Sequence, residues 1–395
     1  MDDNESFVRV TIFGQDYTVK APADSTYIKS IAKYVDEKMR EVQQGLADPQ
    51  STTRIAMLAA MNIADEYFSS RNEKDKFSSE IESKVHSIIE GIDEELNYLT
   101  YPMAETRNLS GKMVSDAVYT ALESRIQSLK ESSVVPGLAA VIVGEDPASQ
   151  VYVRNKTRKF SKLQLHSETI KLPDETTQAD LLDQIETLNN DPLYHGILVQ
   201  LPLPKHIDGT LIVDAIAPDK DVDGFHPENL GRLTAGRPRY VPCTPKGIMR
   251  ILEHYDIDPS GKHAVVLGRS NIVGRPLSIL LSQKQEFSNA TTTICHSGTA
   301  DLRALAKQAD ILIAALGVPE FVDQSFIKEG VAIIDVGINR VADDSHKGYK
   351  LVGDVAFEAV QGIAGSITPV PGGVGPMTIA MLIENTVEAA EKSLV

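Results

Sequence analysis

The stretch SQVYVRNKTRKF, residues 149–160, places Tyr152 and Lys156 four residues apart, so a helix here carries both on one face. A phenol and an amine aimed together into a cleft can position and move a proton. A solvated helix face has the same spacing without chemistry, because exposed lysines are common and tyrosines often edge a core. The surrounding elements must decide.

A second stretch, VVLGRSNIVGRP (265–276), follows an apolar strand-like run and opens a helix. Gly268 and Gly274 allow a tight turn that brings backbone N–H groups and a helix N-terminus towards a phosphate. Five residues separate these glycines, unlike the G-x-G-x-x-G fingerprint, so the loop alone is a weak signal. The next strand, TTTICHS, ends in Cys295, His296 and Ser297 where an NAD site usually carries a carboxylate for the ribose 2′-hydroxyl. Arg269 and Ser270 in the loop, with Ser297, can hold a 2′-phosphate instead. The expected cofactor is NADP.

The chain that must position these groups has 395 residues, enough for two or three cores. Apolar residues make up 42%, aromatic residues 6%, and no Trp is present, an ordinary globular composition. With 39 basic against 55 acidic residues the net charge is -16, which opposes polyanion binding. Neither nucleic acid nor a membrane is an expected partner. No charged-then-apolar leader is read at the N-terminus, and no apolar run reaches the roughly 20 residues that span a bilayer. Cys243 and Cys295, in no C-x-x-C pair, suit a reducing cytoplasm.

The first hundred residues differ from the rest. FVRVTIFGQDYTVKAP reads as a hairpin about Gly14, and Ile28, Ile31, Val35, Met39 and Val42 recur at helical spacing before GLADPQ ends the helix. A long helix is expected from about Thr52 towards Tyr98. Its apolar residues from 77 to 99 are spaced 4, 4, 3, 4, 4, 3, an eleven-residue repeat that favours a bundle of helices and hence self-association. Pro102 breaks the pattern, giving a linker over 99–109. Beyond it, GLAAVIVG, SETIKL, HGILVQLPLP, KHAVVLG, TTTICH, DILIAALG and VAIIDVGI alternate with helical stretches, which predicts parallel sheets in two α/β lobes.

Further stretches fix backbone shape with proline and glycine: GILVQLPLP, KDVDGFHPEN, PCTPKGI and ITPVPGGVGPMT. In chain order, SQVYVRNK, GILVQLPLP, KDVDGFHPEN, PCTPKGI, GRSNIVGRP, DVGIN, GDV and ITPVPGGVGPMT resemble the bifunctional methylenetetrahydrofolate dehydrogenase/cyclohydrolase (FolD) family over residues from about 108 to 393. The resemblance implies a folate-binding lobe (110–245 with the C-terminal helix 376–395) and a Rossmann-like NADP lobe (246–375) around a cleft. It implies tetrahydrofolate derivatives as substrates and a homodimer through the enzyme region. It makes Lys156 the catalytic lysine, Tyr152 and Gln200 its positioning partners, and Asp223 the group that holds the pterin. Pro371, Gly372 and Gly373 would line the folate cleft, while Ile272 and Ile338 join Gly268, Arg269, Ser270, Gly274 and Ser297 around the cofactor. A lysine partly desolvated beside a methenyl cation has a lowered pKa and can help activate water.

Cys243 has no base placed beside it by any motif, so packing is the expected role. His226 and His296 read as turn residues, and with no zinc-ligand spacing no metal is expected. After the lysine, TRKFSKLQL departs from the family pattern Lys-x-Lys-x-Cys-Glu-x-x-Gly. Tyr-x-x-x-Lys also occurs in short-chain dehydrogenases, but there the glycine-rich loop precedes the tyrosine. In the first domain (1–98), VRVTIFGQDYTVKAP, YVDEKMREV and AMLAAMNIADEYF resemble the ZapA family of cell-division proteins over residues 6 to about 98. That resemblance implies a ββα head with a long coiled-coil helix, higher oligomers, and binding to the division protein FtsZ. An enzyme with an oligomerising head and a division scaffold carrying an enzyme both stand at this point.

Overall fold

The computed structural model describes residues 6–21, 24–45, 51–67, 105–145, 147–343 and 348–394, leaving out the side chains of 6, 21, 147–152 and 155. The chain divides into two compact units, Met1–Tyr101 and Pro102–Val395.

In the first unit β1 (Ser6–Ile12) and β2 (Gln15–Ala21) pair antiparallel. Their turn residues Phe13 and Gly14 have φ of 52° and 75°, the positive values that match a two-residue turn to strand twist. Helices α1 (Ser25–Gln44) and α2 (52–67) follow. Val8 and Val10 pack on Ala32, and Met39 packs with Ile55 and Ala59. The apolar stripe over 77–99 lies outside the described residues.

The second unit begins with β3 (Arg107–Asn108), α3 (Gly111–Glu131), β4 (Gly137–Val143), α4 (Pro147–Lys162), β5 (His166–Leu172), α5 (Gln178–Asn190) and β6 (Gly196–Val199). It continues through α6 (Gly209–Ala215), α7 (Pro227–Thr234), α8 (Cys243–His254), β7 (His263–Leu267), α9 (Gly274–Ser282), β8 (Thr291–Cys295), α10 (Leu302–Ala306) and β9 (Ile311–Ala314). It ends with β10 (Ala332–Asp335), β11 (Asn339–Ala342), β12 (Tyr349–Val352), α11 (Phe357–Val360), β13 (Ser366–Ile367) and α12 (Val374–Lys392). Strands β4 to β10 are the seven apolar runs expected from the sequence. They form two sheets, ordered β5-β4-β6 and β3-β13-β10-β9-β7-β8, in which every neighbouring pair is parallel.

Each sheet reverses its winding at one strand. β4 lies between β5 and β6, and β7 lies between β8 and β9. Such switch points open a crevice beyond the carboxyl ends of the strands, and they place α4 after β4 and the 268–274 loop after β7. Alternation sorts the side chains. Leu138, Ala140 and Ile142 of β4 share one core with Ala264 and Val266 of β7, filled from α3, α8 and α12. Ala139, Val141 and Val143, and likewise Val265 and Leu267, face separate outer cores. Burial on both faces explains why these strands read as unbroken apolar runs. α12 packs on α3 and α8, so closely that a Cβ at Gly247 would lie 2.8 Å from the Met377 Cβ.

Candidate active site

The four-residue spacing of Tyr152 and Lys156 falls on α4. The Tyr152 side chain lies outside the described residues. Lys156 does not face solvent: it is 3% exposed, on the same inward stripe as Val153 and Phe160, while Arg154 and Arg158 point outward. Burial pushes its pKa below the ordinary lysine value, and the nearby Asp223 and Cys243 act in the opposite sense. Asp223 is half-buried; desolvation raises its carboxyl, and Lys156 and a hydrogen bond with the Cys243 thiol pull it back down. Cys243 itself is buried and its thiol is pushed well above the usual range by burial and by Asp223. It is therefore a thiol and not a thiolate nucleophile. Buried Lys156 and Cys243 and half-buried Asp223 thus act on one another electrostatically.

Asp223 is presented by a turn that Asp221 organises. The Asp221 carboxylate accepts from the N–H groups of Gly224 (3.1 Å), Phe225 (3.2 Å) and His226 (2.7 Å) and from Asn229 Nδ2 (2.8 Å). His226 Nδ1 accepts from Glu228 N–H at 3.1 Å and His296 Nδ1 from Gly298 N–H at 3.1 Å, so both histidines serve turns. Gln200 follows β6; its N–H donates to Val141 O (2.9 Å) and its Nε2 to Leu201 O (2.8 Å). Gln200 Oε1 is buried without a hydrogen-bond partner among the described residues, an acceptor available to a donor entering the site.

Pro371, Gly372 and Gly373 line a cavity of about 470 Å³ together with Ile338, Tyr119 of α3 and Lys159 of α4. Among the described residues Lys156, Gln200 and Asp223 are not part of that lining. A Cβ at Gly373 would lie 2.6 Å from Pro369 O and 2.9 Å from the Thr368 side chain, so the backbone approaches where only glycine fits.

The 268–274 loop has the geometry of a phosphate cradle. Gly268 has φ of 125°, and a Cβ there would run into Ala315 O. Ser270 Oγ accepts from Val273 N–H (3.1 Å) and Gly274 N–H (3.4 Å), which turns the chain into α9. Arg269, Ser270 and Ile272 are exposed in this loop, Ser297 is exposed beyond β8, and Ile338 is exposed beyond β10. These residues therefore sit at the carboxyl ends of β7, β8 and β10, with no carboxylate at the end of β8.

Two residues escaped the sequence reading. Asp335 accepts from Gly337 (3.0 Å), Asp354 (2.9 Å) and Val355 (3.0 Å) N–H groups, yet burial pushes its pKa up to about 6. Asp354 accepts from Leu316 (2.6 Å), Gly317 (2.9 Å) and Val318 (3.1 Å) N–H groups and from Asn339 Nδ2 (2.9 Å). The two carboxylates shape the loops after β9 and β10. An aspartate beside glycine at the end of an apolar strand, as in IIDVG and VGDV, is the signal that could have found them.

Family models for the tetrahydrofolate dehydrogenase/cyclohydrolase catalytic domain and its NAD(P)-binding domain match residues 109–223 and 242–394. The bifunctional protein FolD of Chloroherpeton thalassium is 53% identical over 290 residues, 72% of this chain and 99% of that protein. The chain belongs to the tetrahydrofolate dehydrogenase/cyclohydrolase family. Among solved structures, the FolD enzyme from Campylobacter jejuni matches this family member with a TM-score of 0.69 and 46% identity, over 73% of this chain and 99% of that one. The Trypanosoma brucei enzyme, complexed with NADP cofactor and an inhibitor, matches at a TM-score of 0.70 and 38% identity over the same shares. The short-chain dehydrogenase alternative is thereby set aside. A model for the cell division protein ZapA matches residues 8–132, overlapping the catalytic-domain match. The chain is thus a FolD-type enzyme region preceded by a ZapA-type region. No helix among the described residues is long and apolar enough to cross a membrane.

Proposed function

We propose that the enzyme region oxidises 5,10-methylenetetrahydrofolate to 5,10-methenyltetrahydrofolate with NADP⁺ and hydrolyses that product to 10-formyltetrahydrofolate. The burial of Lys156 beside Asp223 carries the reading: a desolvated amine of lowered basicity is suited to take a proton from water. Gln200 orients the amine with Tyr152, Asp223 holds the pterin by hydrogen bonds, and Pro371, Gly372 and Gly373 form the cleft wall. Water adds to the methenyl carbon and loses one proton to Lys156; the hydroxyl adduct then collapses, the ring C–N bond breaking as the hydroxyl proton passes to the departing nitrogen, which leaves the formyl group.

The residues present fit a dinucleotide. Gly268 and Gly274 leave no room for side chains, and Val273, at the N-cap of α9, offers no side-chain acceptor of its own to the first turn. Arg269, Ser270 and Ser297 would hold the 2′-phosphate, with Ile272 and Ile338 on the apolar part. When bound, NADP⁺ supplies the hydride acceptor. We assign 110–245 with 376–395 to the folate lobe, 246–375 to the cofactor lobe, 1–98 to an assembly head and 99–109 to the connection between them, whose end, Arg107–Asn108, joins the six-stranded sheet as β3. The head forms dimers or higher oligomers and binds an FtsZ-type protein, supported by the ZapA match. The edge position of β5 supports a homodimer through the enzyme region. The free, buried Cys243 and Cys295 support a reducing cytoplasm.

Steady-state kinetics with both cofactors tests the cofactor reading. A higher kcat/KM with NADP⁺ is expected, and an equal or better value with NAD⁺ would overturn the role given to Arg269 and Ser297.

A further inference from the structure

Asn385 stands in the apolar middle of α12, within AMLIENTV, and is fully buried. Its amide is fully engaged. Nδ2 donates to Val222 O at 2.8 Å and Val241 O at 3.0 Å and lies 3.7 Å from Cys243 Sγ. Oδ1 accepts from Lys246 Nζ at 2.8 Å. Carbonyl oxygens only accept and an ammonium only donates, so the partners fix the amide in one orientation. Lys246 is held in turn by the Glu384 carboxylate at 2.8 Å.

These contacts converge on one residue. Val222 O belongs to the peptide that leads into Asp223. The Cys243 thiol lies 3.4 Å from that same oxygen and hydrogen-bonds the Asp223 carboxylate. Asn385 therefore grips Asp223 twice, through its preceding peptide and through its thiol partner. An apolar side chain of similar volume would fill the space in α12 but leave Val241 O without this donor and Val222 O with only the weak thiol donor of Cys243.

We propose that Asn385, oriented by Lys246, is a positioning residue that fixes the peptide and the thiol against which Asp223 is aimed into the folate site. This rests on the reading of Asp223 as the pterin-holding group. The site then extends through α8 and α12, and the register of these two helices, set at Gly247 and Met377, becomes part of the binding geometry.

The test is a double-mutant cycle on the full chain with Asp223→Asn, Asn385→Leu and their combination. It reads KM and kcat for methenyl hydrolysis, NADP⁺ affinity and the thermal midpoint. Asn385→Leu is expected to raise the folate KM about tenfold with NADP⁺ affinity unchanged. In the Asp223→Asn background the same change should cost less than about twofold more. Multiplicative losses, or a folate KM within twofold of wild type for Asn385→Leu, would overturn the positioning role while leaving Asp223 in place. If Asp223→Asn alone binds folate as wild type does, the reading of Asp223 fails and the inference with it. Should Asn385→Leu not fold, Lys246→Met, which keeps the amide but frees its orientation, carries the same cycle with the same outcomes.

Discussion

Replacing Lys156 with methionine keeps an unbranched, mostly apolar stem between Val153 and Phe160 and removes the ammonium. Because the side chain is 3% exposed, the variant loses a desolvated charge and little packing, and its stability should stay within about 1 kcal/mol of wild type. Methenyl hydrolysis should fall by about two to four orders of magnitude, the usual contribution of a positioned acid or base. That is about 3–5 kcal/mol of barrier. Methylene oxidation should fall less, because hydride transfer depends on orientation more than on proton transfer. Burial places the folded-state pKa of Lys156 below the ordinary value of about 10.4. Between those two values the unfolded chain holds the extra proton, so wild-type stability rises with pH across that window, and the methionine variant lacks this rise. Hydrolysis by wild type should climb through the same folded-state value as the amine becomes neutral. Measuring the two activities separately on purified variant decides the matter, and an undiminished hydrolysis rate would refute the role given to this amine.

Asp335→Asn should cost about 1–3 kcal/mol, since the amide turns donors towards backbone N–H groups that need an acceptor. Its folded pKa of about 6 lies above the ordinary 3.8, so the folded state holds the proton more tightly and wild-type stability declines as pH rises between these values. Thermal melts across that range should show a shallower dependence in the asparagine variant, and identical slopes would contradict the assignment. Deleting residues 1–101 should leave dehydrogenase kcat/KM within about twofold while lowering the number of subunits per particle measured by sedimentation, and an unchanged number of subunits would remove the assembly role. The full chain should also co-pellet with polymerised FtsZ and the truncated chain should not; equal pelleting would end that reading.

Much of this enzyme was legible because its strands are buried on both faces and therefore read as apolar runs. The tight turn between β7 and α9 was legible through Gly268 and Gly274, whose backbone positions admit no side chain. The burial of Lys156 was not. Arg154, Arg158 and Lys159 make α4 look solvated, and only the inward stripe of Val153, Lys156 and Phe160 betrays the lysine's direction. The departure from the family pattern after the lysine has a physical counterpart. Gln164, where the pattern has glycine, adopts a φ of 56° and its side chain accepts from Lys130 at 2.8 Å. The two-residue strands β3 and β13 are too short for any periodicity to reveal. Asp354 and Asn385 act on backbone atoms distant in sequence, and no local pattern encodes such partners.

One progress curve tests the central claim most directly. Purified full-length chain is mixed with 5,10-methylenetetrahydrofolate and NADP⁺, and NADPH and 10-formyltetrahydrofolate are followed together. Both should appear, with formyl product tracking NADPH after the methenyl intermediate rises and decays. NADPH without formyl product beyond uncatalysed hydrolysis, or no NADPH at all, would contradict it.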